Sequence, residues 1–76
     1  MKVETVFGRI LKESRKRAGL SQEALALECK IDRTYISLLE RGKRQPPLNM
    51  LFKISKVLNV PAHKMVEQIE EQTKLI

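Results

Sequence analysis

Apolar residues recur every three or four positions along most of the chain, which places them on one face of an α-helix. Short breaks containing Gly, Pro, Asn or a polar residue interrupt this period, and few residues favour strands in any alternating run. We therefore expect an all-α fold of five short helices. They are expected at about residues 3–18, 21–29, 32–42, 48–58 and 61–76.

The first three expected helices have recognisable starts or stops. Ser21 and Asp32 can each cap a helix by accepting a hydrogen bond from an otherwise unpaired backbone N–H. Gly19 and Gly42 supply the left-handed residue that commonly follows a helix end. Only residues 30 and 31 separate the second helix from the cap of the third. A connection this short is typical of a helix-turn-helix, which we expect at about residues 21–42.

The last two helices are expected to be amphipathic. Pro46 and Pro47 precede the fourth helix, and Pro61 suits the first turn of the fifth. The stripe expected to face the core in the fourth helix consists of Leu48, Leu51, Phe52, Ser55 and Leu58, with Met50, Ile54 and Val57 at its flanks. The strip that continues the fifth helix consists of Met65, Val66, Ile69, Thr73 and Ile76.

The composition limits what the chain can be. Seventy-six residues make one small domain, 1–76, with a compact core. No apolar run approaches the roughly 20 residues that span a bilayer, and the N-terminus lacks a signal-peptide pattern. Cys29 is the single cysteine, and together with His63 it provides too few ligands for a zinc site. We expect a buried thiol, no metal, no cofactor and a cytoplasmic location.

The charge of the chain is basic and unevenly spread. Fifteen Lys and Arg against nine Asp and Glu give a formal net charge of +6. Thirteen of these bases and six of these acids lie in residues 1–60, so a basic body precedes a near-neutral tail. This distribution indicates a body that meets a polyanion, and nucleic acid is the leading candidate.

The third helix opens with polar side chains that a helix serving only the core does not need. In a helix-turn-helix the second helix of the motif lies in the major groove and reads base edges with its N-terminal residues. Arginine can bond guanine O6 and N7 together, and Thr and Ser hydroxyls can bond several bases. Ile36 and Leu39 face the other way. The residues expected to read DNA bases are Arg33, Thr34, Tyr35 and Ser37.

Most of the chain resembles a known family. The stretches LSQEALALECKIDRTYISLLERGKRQPP and LNMLFKISKVLNVP are similar to the Cro/CI-type (xenobiotic-response-element-like) helix-turn-helix family, over roughly residues 5 to 65. The segment IDRTYISLLERGKR is most similar to the controller proteins of restriction-modification systems. The resemblance implies a five-helix, lambda-repressor-like DNA-binding domain and a small dimeric transcription regulator.

The resemblance also implies roles for single residues. Gln22 matches a glutamine that bonds a DNA phosphate, and Tyr35 matches a residue between base and backbone. Leu38 stands where other members carry a polar reader, so one base contact would become apolar. Arg15 with Glu40 resembles a buried ion pair between the first and third helices. The residues expected to bind DNA phosphates are Gln22, Lys43, Arg44 and Gln45.

The end of the chain carries more apolar residues than a small monomer is expected to expose. We expect a homodimer in which the helix at about 61–76 forms a two-fold interface with residues late in the fourth helix. The two copies of the third helix would then meet a roughly palindromic operator. The alternative is that this strip folds back over the first helix and completes the monomer's core. The residues expected at the interface are Val60, Val66, Ile69, Thr73, Leu75 and Ile76.

Two classes of function remain open. The first is a sequence-specific regulator that binds double-stranded operator DNA: a controller protein, or another phage or chromosomal repressor. RNA polymerase is a further candidate partner, and no membrane is expected. The second is an antitoxin-like protein-interaction module, against which Arg33 and the Lys43-Arg44 pair argue. An enzyme is not expected, because the sequence shows no Ser/His/Asp set, paired carboxylates near the histidine or phosphate-binding glycine loop.

Overall fold

Five α-helices make up the computed structural model, which describes residues 2–73. They are α1 (Val3–Arg17), α2 (Gln22–Cys29), α3 (Arg33–Glu40), α4 (Leu48–Leu58) and α5 (Ala62–Thr73). No strand occurs among residues 2–73, and the predicted all-α fold class is confirmed. None of the described helices has both the length and the apolar character that crossing a membrane requires.

The ends of the helices follow from local sequence. Ser21 Oγ accepts the backbone N–H of Ala24 at 3.0 Å and so begins α2. Asp32 Oδ1 accepts the backbone N–H of Thr34 at 2.7 Å and begins α3 in the same way. Positive φ angles of 75° and 73° follow α1 and α3, at Gly19 and Gly42. Both predicted caps and both predicted stops are therefore confirmed.

The core lies where the five helices meet. α1 packs on α3 and α5, α2 packs on α3 and α4, and α4 packs on α5. The thiol of Cys29 is free and buried in this core, as expected, and burial raises its pKa against a smaller opposing effect of Lys53. Side chains with no exposed surface are Val6, Leu11, Leu25, Cys29, Ile36, Leu39, Ile54 and Met65.

α4 is rotated relative to the stripe that the sequence pattern predicts. Leu48 is 70% exposed and Phe52 is 58% exposed, so the expectation that both face the core is wrong. Ile54, expected at a flank, is fully buried. α4 packs between α2 and α5, which centres its buried face nearer to Ile54. In α2, Leu27 is also exposed, at 78%, whereas its neighbour Ala26 is buried.

α1 and α3 approach each other closely at Gly8. A Cβ atom on Gly8 would lie 2.4 Å from the carbonyl oxygen of Leu39 and 2.7 Å from that of Glu40. Backbone oxygens cannot move aside as a flexible side chain can, so only glycine allows this approach. The absence of a side chain here lets α3 pack directly on α1.

α5 helps to close the core of the monomer. Met65 and Ile69 are buried, and α5 packs on both α1 and α4. The guanidinium of Arg9 on α1 donates a hydrogen bond to Gln72 Oε1 on α5. Ile69 is 9% exposed and therefore does not offer the exposed apolar surface that the interface prediction assigns to it. At Ile69, α5 packs over α1, as in the alternative in which this strip completes the monomer's core.

Candidate nucleic-acid interface

α2 and α3 form a helix pair joined by the three residues from Lys30 to Asp32. Lys30 takes a left-handed conformation with φ of 57°. Its backbone N–H donates to the Leu27 carbonyl, and that of Ile31 donates to the Ala26 carbonyl. These bonds close the end of α2 and fix the turn, so that α3 begins directly at its Asp32 cap.

α3 turns one face to the core and the other to solvent. Ile36 and Leu39 have no exposed surface and anchor the helix. The ring of Tyr35 is half-buried and packs against the core, while Ser37 is half-buried as well. The four residues predicted to read bases lie together in the first two turns, and none of them is buried: Arg33, Thr34, Tyr35 and Ser37.

The residues predicted to bind phosphates lie at two places beside α3. Lys43, Arg44 and Gln45 are exposed in the loop after the helix. The backbone N–H of Lys43 donates to the Leu38 carbonyl at 2.9 Å, which ties the start of this loop to α3. Gln22 is half-buried in the first turn of α2. The structure thus places cationic side chains in the loop after α3 and an amide at the start of α2.

A polar network joins α1, α2 and α3. Arg15 Nε and Nη2 donate to the two carboxylate oxygens of Glu40 at 2.6 Å and 3.0 Å, and this is the ion pair that the resemblance implies. Arg15 Nη1 donates to the Leu20 carbonyl at 2.8 Å, and Gln22 Nε2 donates to Glu40 Oε1 at 3.0 Å. The hydrogen bond with Glu40 raises the pKa of Arg15 and outweighs the effect of burial. The network is therefore fixed and charged.

An open cleft of about 600 Å³ lies between the start of α2 and Arg33. The N-terminus of a helix carries a partial positive charge and unpaired N–H groups, both of which favour anions. Arg33 adds a guanidinium to that charge, whereas the charge of Arg15 is balanced by its ion pair with Glu40. The cleft therefore suits a phosphate, and the residues that line it are Arg15, Ser21, Gln22, Glu23, Ala24, Leu27 and Arg33.

The residues predicted at the dimer interface differ in how far the monomer exposes them. Val66 is 46% exposed, whereas Val60 is half-buried and packs against the core. Thr73 is half-buried, and its hydroxyl donates to a backbone carbonyl of its own helix at 2.7 Å. Leu75 and Ile76 lie outside the described residues. Of this set, Val66 is the exposed apolar side chain that the structure describes.

A groove of about 380 Å³ between α4 and α5 contains exposed apolar residues that sequence reasoning assigned to the core. Leu48, Phe52 and Val66 are three of the four large apolar side chains exposed within residues 2–73. No local signal distinguishes Leu48 and Phe52, because the buried Leu51 and Ser55 have the same spacing of four. This α4–α5 groove is lined by Leu48, Leu51, Phe52, Ala62, His63, Val66, Glu67 and Glu70.

The short turn, the capped polar start of α3 and the network behind it define a DNA-binding transcription regulator of the helix-turn-helix class. The chain belongs to the helix-turn-helix family, whose family model matches residues 11–64. The predicted family and fold are thus confirmed.

Individual proteins show the same likeness over most of the chain. Control protein C.MunI of Mycoplasma sp is 42% identical over 67 residues, which are 87% of this chain and 90% of that protein. Control protein C.BamHI of Bacillus amyloliquefaciens is 39% identical over 66 residues, which are 86% and 82% of the two chains. The crystal structure of the restriction-modification controller protein C.AhdI from Aeromonas hydrophila matches with a TM-score of 0.78 and 35% identity, over 82% of this chain and 94% of that one.

Proposed function

We propose that this protein is the controller of a restriction-modification system and regulates transcription as a homodimer on a roughly palindromic operator. The polar, solvent-facing start of α3 carries the proposal for DNA reading. The control proteins to which the chain is similar over most of both lengths support the controller role. A phage or chromosomal repressor of the same family is the alternative. The proposal places the protein in the cytoplasm, where Cys29 stays a thiol.

The DNA contacts divide between base edges and backbone. Arg33 and Thr34 are exposed and Ser37 is half-buried, and all three have side-chain donors that can pair with base edges in the major groove. Tyr35 keeps its ring against the core, which leaves its hydroxyl as the group for DNA. On either side of α3, the phosphate contacts come from Gln22, Lys43, Arg44 and Gln45.

The α4–α5 groove is the proposed dimer surface, in place of the strip along α5 that the sequence alone favours. A two-fold axis brings the same groove of two copies together, so Leu48, Phe52 and Val66 become buried in pairs. Fully burying an exposed side chain of this kind stabilises by about 1.5–3 kcal/mol. The groove lies on α4 and α5, whereas the DNA-contacting residues lie on α2, α3 and the loop after α3. Dimerisation therefore leaves both copies of α3 free.

RNA polymerase is a second proposed protein partner. Leu27 on α2 is 78% exposed and lies one helical turn after Glu23. Both residues also line the cleft beside Arg33, so a protein partner here would cover the edge of the proposed phosphate site. The same surface also supports the alternative function of an antitoxin-like module, which would bind a protein partner and no DNA.

Selection of DNA from a random-sequence library tests the proposed function directly. The expected result is enrichment of an inverted repeat whose half-sites lie about one helical turn, or ~34 Å, apart. Enrichment of no sequence would favour the protein-interaction module. Enrichment of a single unrepeated half-site would contradict the dimer.

A further inference from the structure

One carboxylate connects the three helices that present the DNA-contacting residues. Glu40, at the end of α3, accepts hydrogen bonds from Arg15 of α1 and from Gln22 of α2. Its side chain is 2% exposed, and that of Arg15 is 9% exposed. A charge held at this depth is fixed in place by its partners, because water cannot replace them. Glu40 therefore sets where the Gln22 side chain lies relative to α3.

The chemistry of the pair also fixes which way the Gln22 amide points. An ionised carboxylate only accepts hydrogen bonds, so the NH₂ group of Gln22 must face Glu40. Of the two N–H bonds in that group, one is directed at Glu40 Oε1 over the 3.0 Å separation. The second N–H remains for another acceptor, and Gln22 also lines the cleft beside Arg33. A DNA phosphate oxygen is an acceptor of this kind.

We infer that Glu40 is a positioning residue for DNA binding that acts through Gln22, orienting its amide as a phosphate donor. This inference rests on the proposed function, in which Gln22 contacts the DNA backbone. It reverses the simple electrostatic expectation for Glu40. An acidic group near DNA should weaken binding by repulsion, so its removal should strengthen binding. A positioning carboxylate has the opposite effect, and its removal weakens binding.

The test is a double-substitution cycle on binding to a short mixed-sequence DNA duplex, because a phosphate contact does not depend on base sequence. Glu40→Gln and Gln22→Ala are made singly and together in the full chain. Binding is measured at a temperature where circular dichroism shows every variant folded. Glu40→Gln should lower affinity roughly tenfold in the natural background and less than about twofold when Gln22 is already Ala. Gln22→Ala should leave the slope of log affinity against log salt unchanged, because Gln22 is uncharged.

Lys43→Ala provides the matched control for the cycle. Lys43 is also expected to bind a phosphate, but its described hydrogen bond is made by its backbone to Leu38. Glu40→Gln should therefore lower affinity by the same factor with or without Lys43. Loss of affinity by an equal factor in the Gln22→Ala background would overturn the inference, since Glu40 would then act on the fold alone. Higher affinity with a steeper salt slope would overturn it as well.

Glu40→Asp keeps the inference testable if Glu40→Gln does not fold. It keeps the charge that faces Arg15 but withdraws the carboxylate from Gln22 by one methylene group. Its loss of affinity should again disappear in the Gln22→Ala background, and persistence of that loss would contradict the inference. Failure of the proposed function looks different. In that case Gln22→Ala alone leaves the affinity for DNA unchanged. That result would exclude the phosphate contact of Gln22, and the inference about Glu40 would fall with it.

Discussion

Asp32 begins α3 and carries a charge that the fold stabilises. Hydrogen bonds from the backbone N–H and the hydroxyl of Thr34 hold the pKa of Asp32 below its ordinary value. A carboxylate with a lower pKa in the folded state contributes its full stabilisation above the unfolded-state pKa. That contribution is lost as the pH falls through the folded-state pKa. The start of α3 is therefore sensitive to acid.

Asp32→Asn should remove this sensitivity while keeping a neutral cap, because asparagine is also a good helix-capping residue. At neutral pH the natural protein should be the more stable of the two. The difference in their free energies of unfolding should stay constant down to the ordinary aspartate range and shrink below it. Urea unfolding at a series of pH values measures this difference. A difference that stays constant into strong acid would show that the Asp32 pKa is not lowered by folding.

Lys43→Ala should weaken binding to operator and to unrelated DNA by the same factor, because phosphates are alike in every sequence. The slope of log affinity against log salt should fall by about one unit, as expected when one cation no longer binds a phosphate. Lys64→Ala on α5, away from α2 and α3, is the matched control and should leave the slope unchanged. If Lys43→Ala instead altered sequence preference at an unchanged slope, Lys43 would belong with the base-reading residues.

Residue-level features follow from sequence only where their causes are local. Ser21 and Asp32 act within one helical turn, and both caps are predictable. The bond from Gln22 to Glu40 crosses 18 positions of the chain and depends on how α2 packs on α3, so no local pattern reveals it. The ion pair of Arg15 with Glu40 is just as remote and was expected only through the family resemblance.

At the scale of elements, the position of α3 depends on a close contact with α1. The contact places the last turn of α3 directly against Gly8, where no side chain fits. Because α3 is only eight residues long, displacing its last turn also moves its first. The positions of the residues proposed to read bases therefore depend in part on α1.

Gly8→Ala should lower the free energy of unfolding by about 1–3 kcal/mol, because the added Cβ forces α1 and α3 apart. The usual gain in helix propensity from Gly to Ala, about 0.5–1 kcal/mol, is too small to offset the clash. Lys12→Ala, one turn later on the exposed side of α1, is the control and should change that free energy by less than about 0.5 kcal/mol. Chemical denaturation measures both. A stabilised Gly8→Ala protein would show that the two helices separate easily.

The number and order of the elements could be predicted, whereas the rotation of α4 could not. Periodicity identifies a helix, and the Gly, Pro and Asn breaks identify its ends. α4, however, has apolar side chains on more than one face, including Leu48, Phe52 and Ile54. Which face turns inward depends on α2 and α5, which both pack on α4. The sequence pattern contains no information on that choice.

The whole molecule has two distinct surfaces. One holds the polar start of α3, the start of α2 and the basic loop after α3. The other is the apolar α4–α5 groove, where Leu48, Phe52 and Val66 are exposed. A helix-turn-helix monomer reads only a few base pairs, so useful specificity requires two half-sites. In the proposed dimer, the second surface supplies the contact that brings two copies together.

Phe52→Glu should convert the dimer into a folded monomer at micromolar concentration. Phe52 is 58% exposed in the monomer, so a charge there disturbs the interface more than the core. Leu27→Glu is a matched control on α2, since Leu27 is exposed but lies outside the groove, and that variant should still dimerise. Sedimentation velocity reports the mass of each. A natural chain that sediments as a monomer, or a Phe52→Glu chain that dimerises as tightly, would contradict this interface.

The proposed reading of two related half-sites by two copies of α3 depends on the first turn of the helix. Competition binding of Arg33→Ala across all single-base variants of the selected operator tests it most directly. We predict that specific binding weakens by about 1–3 kcal/mol for each guanine that the arginine no longer bonds. Base preference should relax at two positions related by the operator's two-fold symmetry. Unchanged preference at every position, or relaxation at one position alone, would contradict the account.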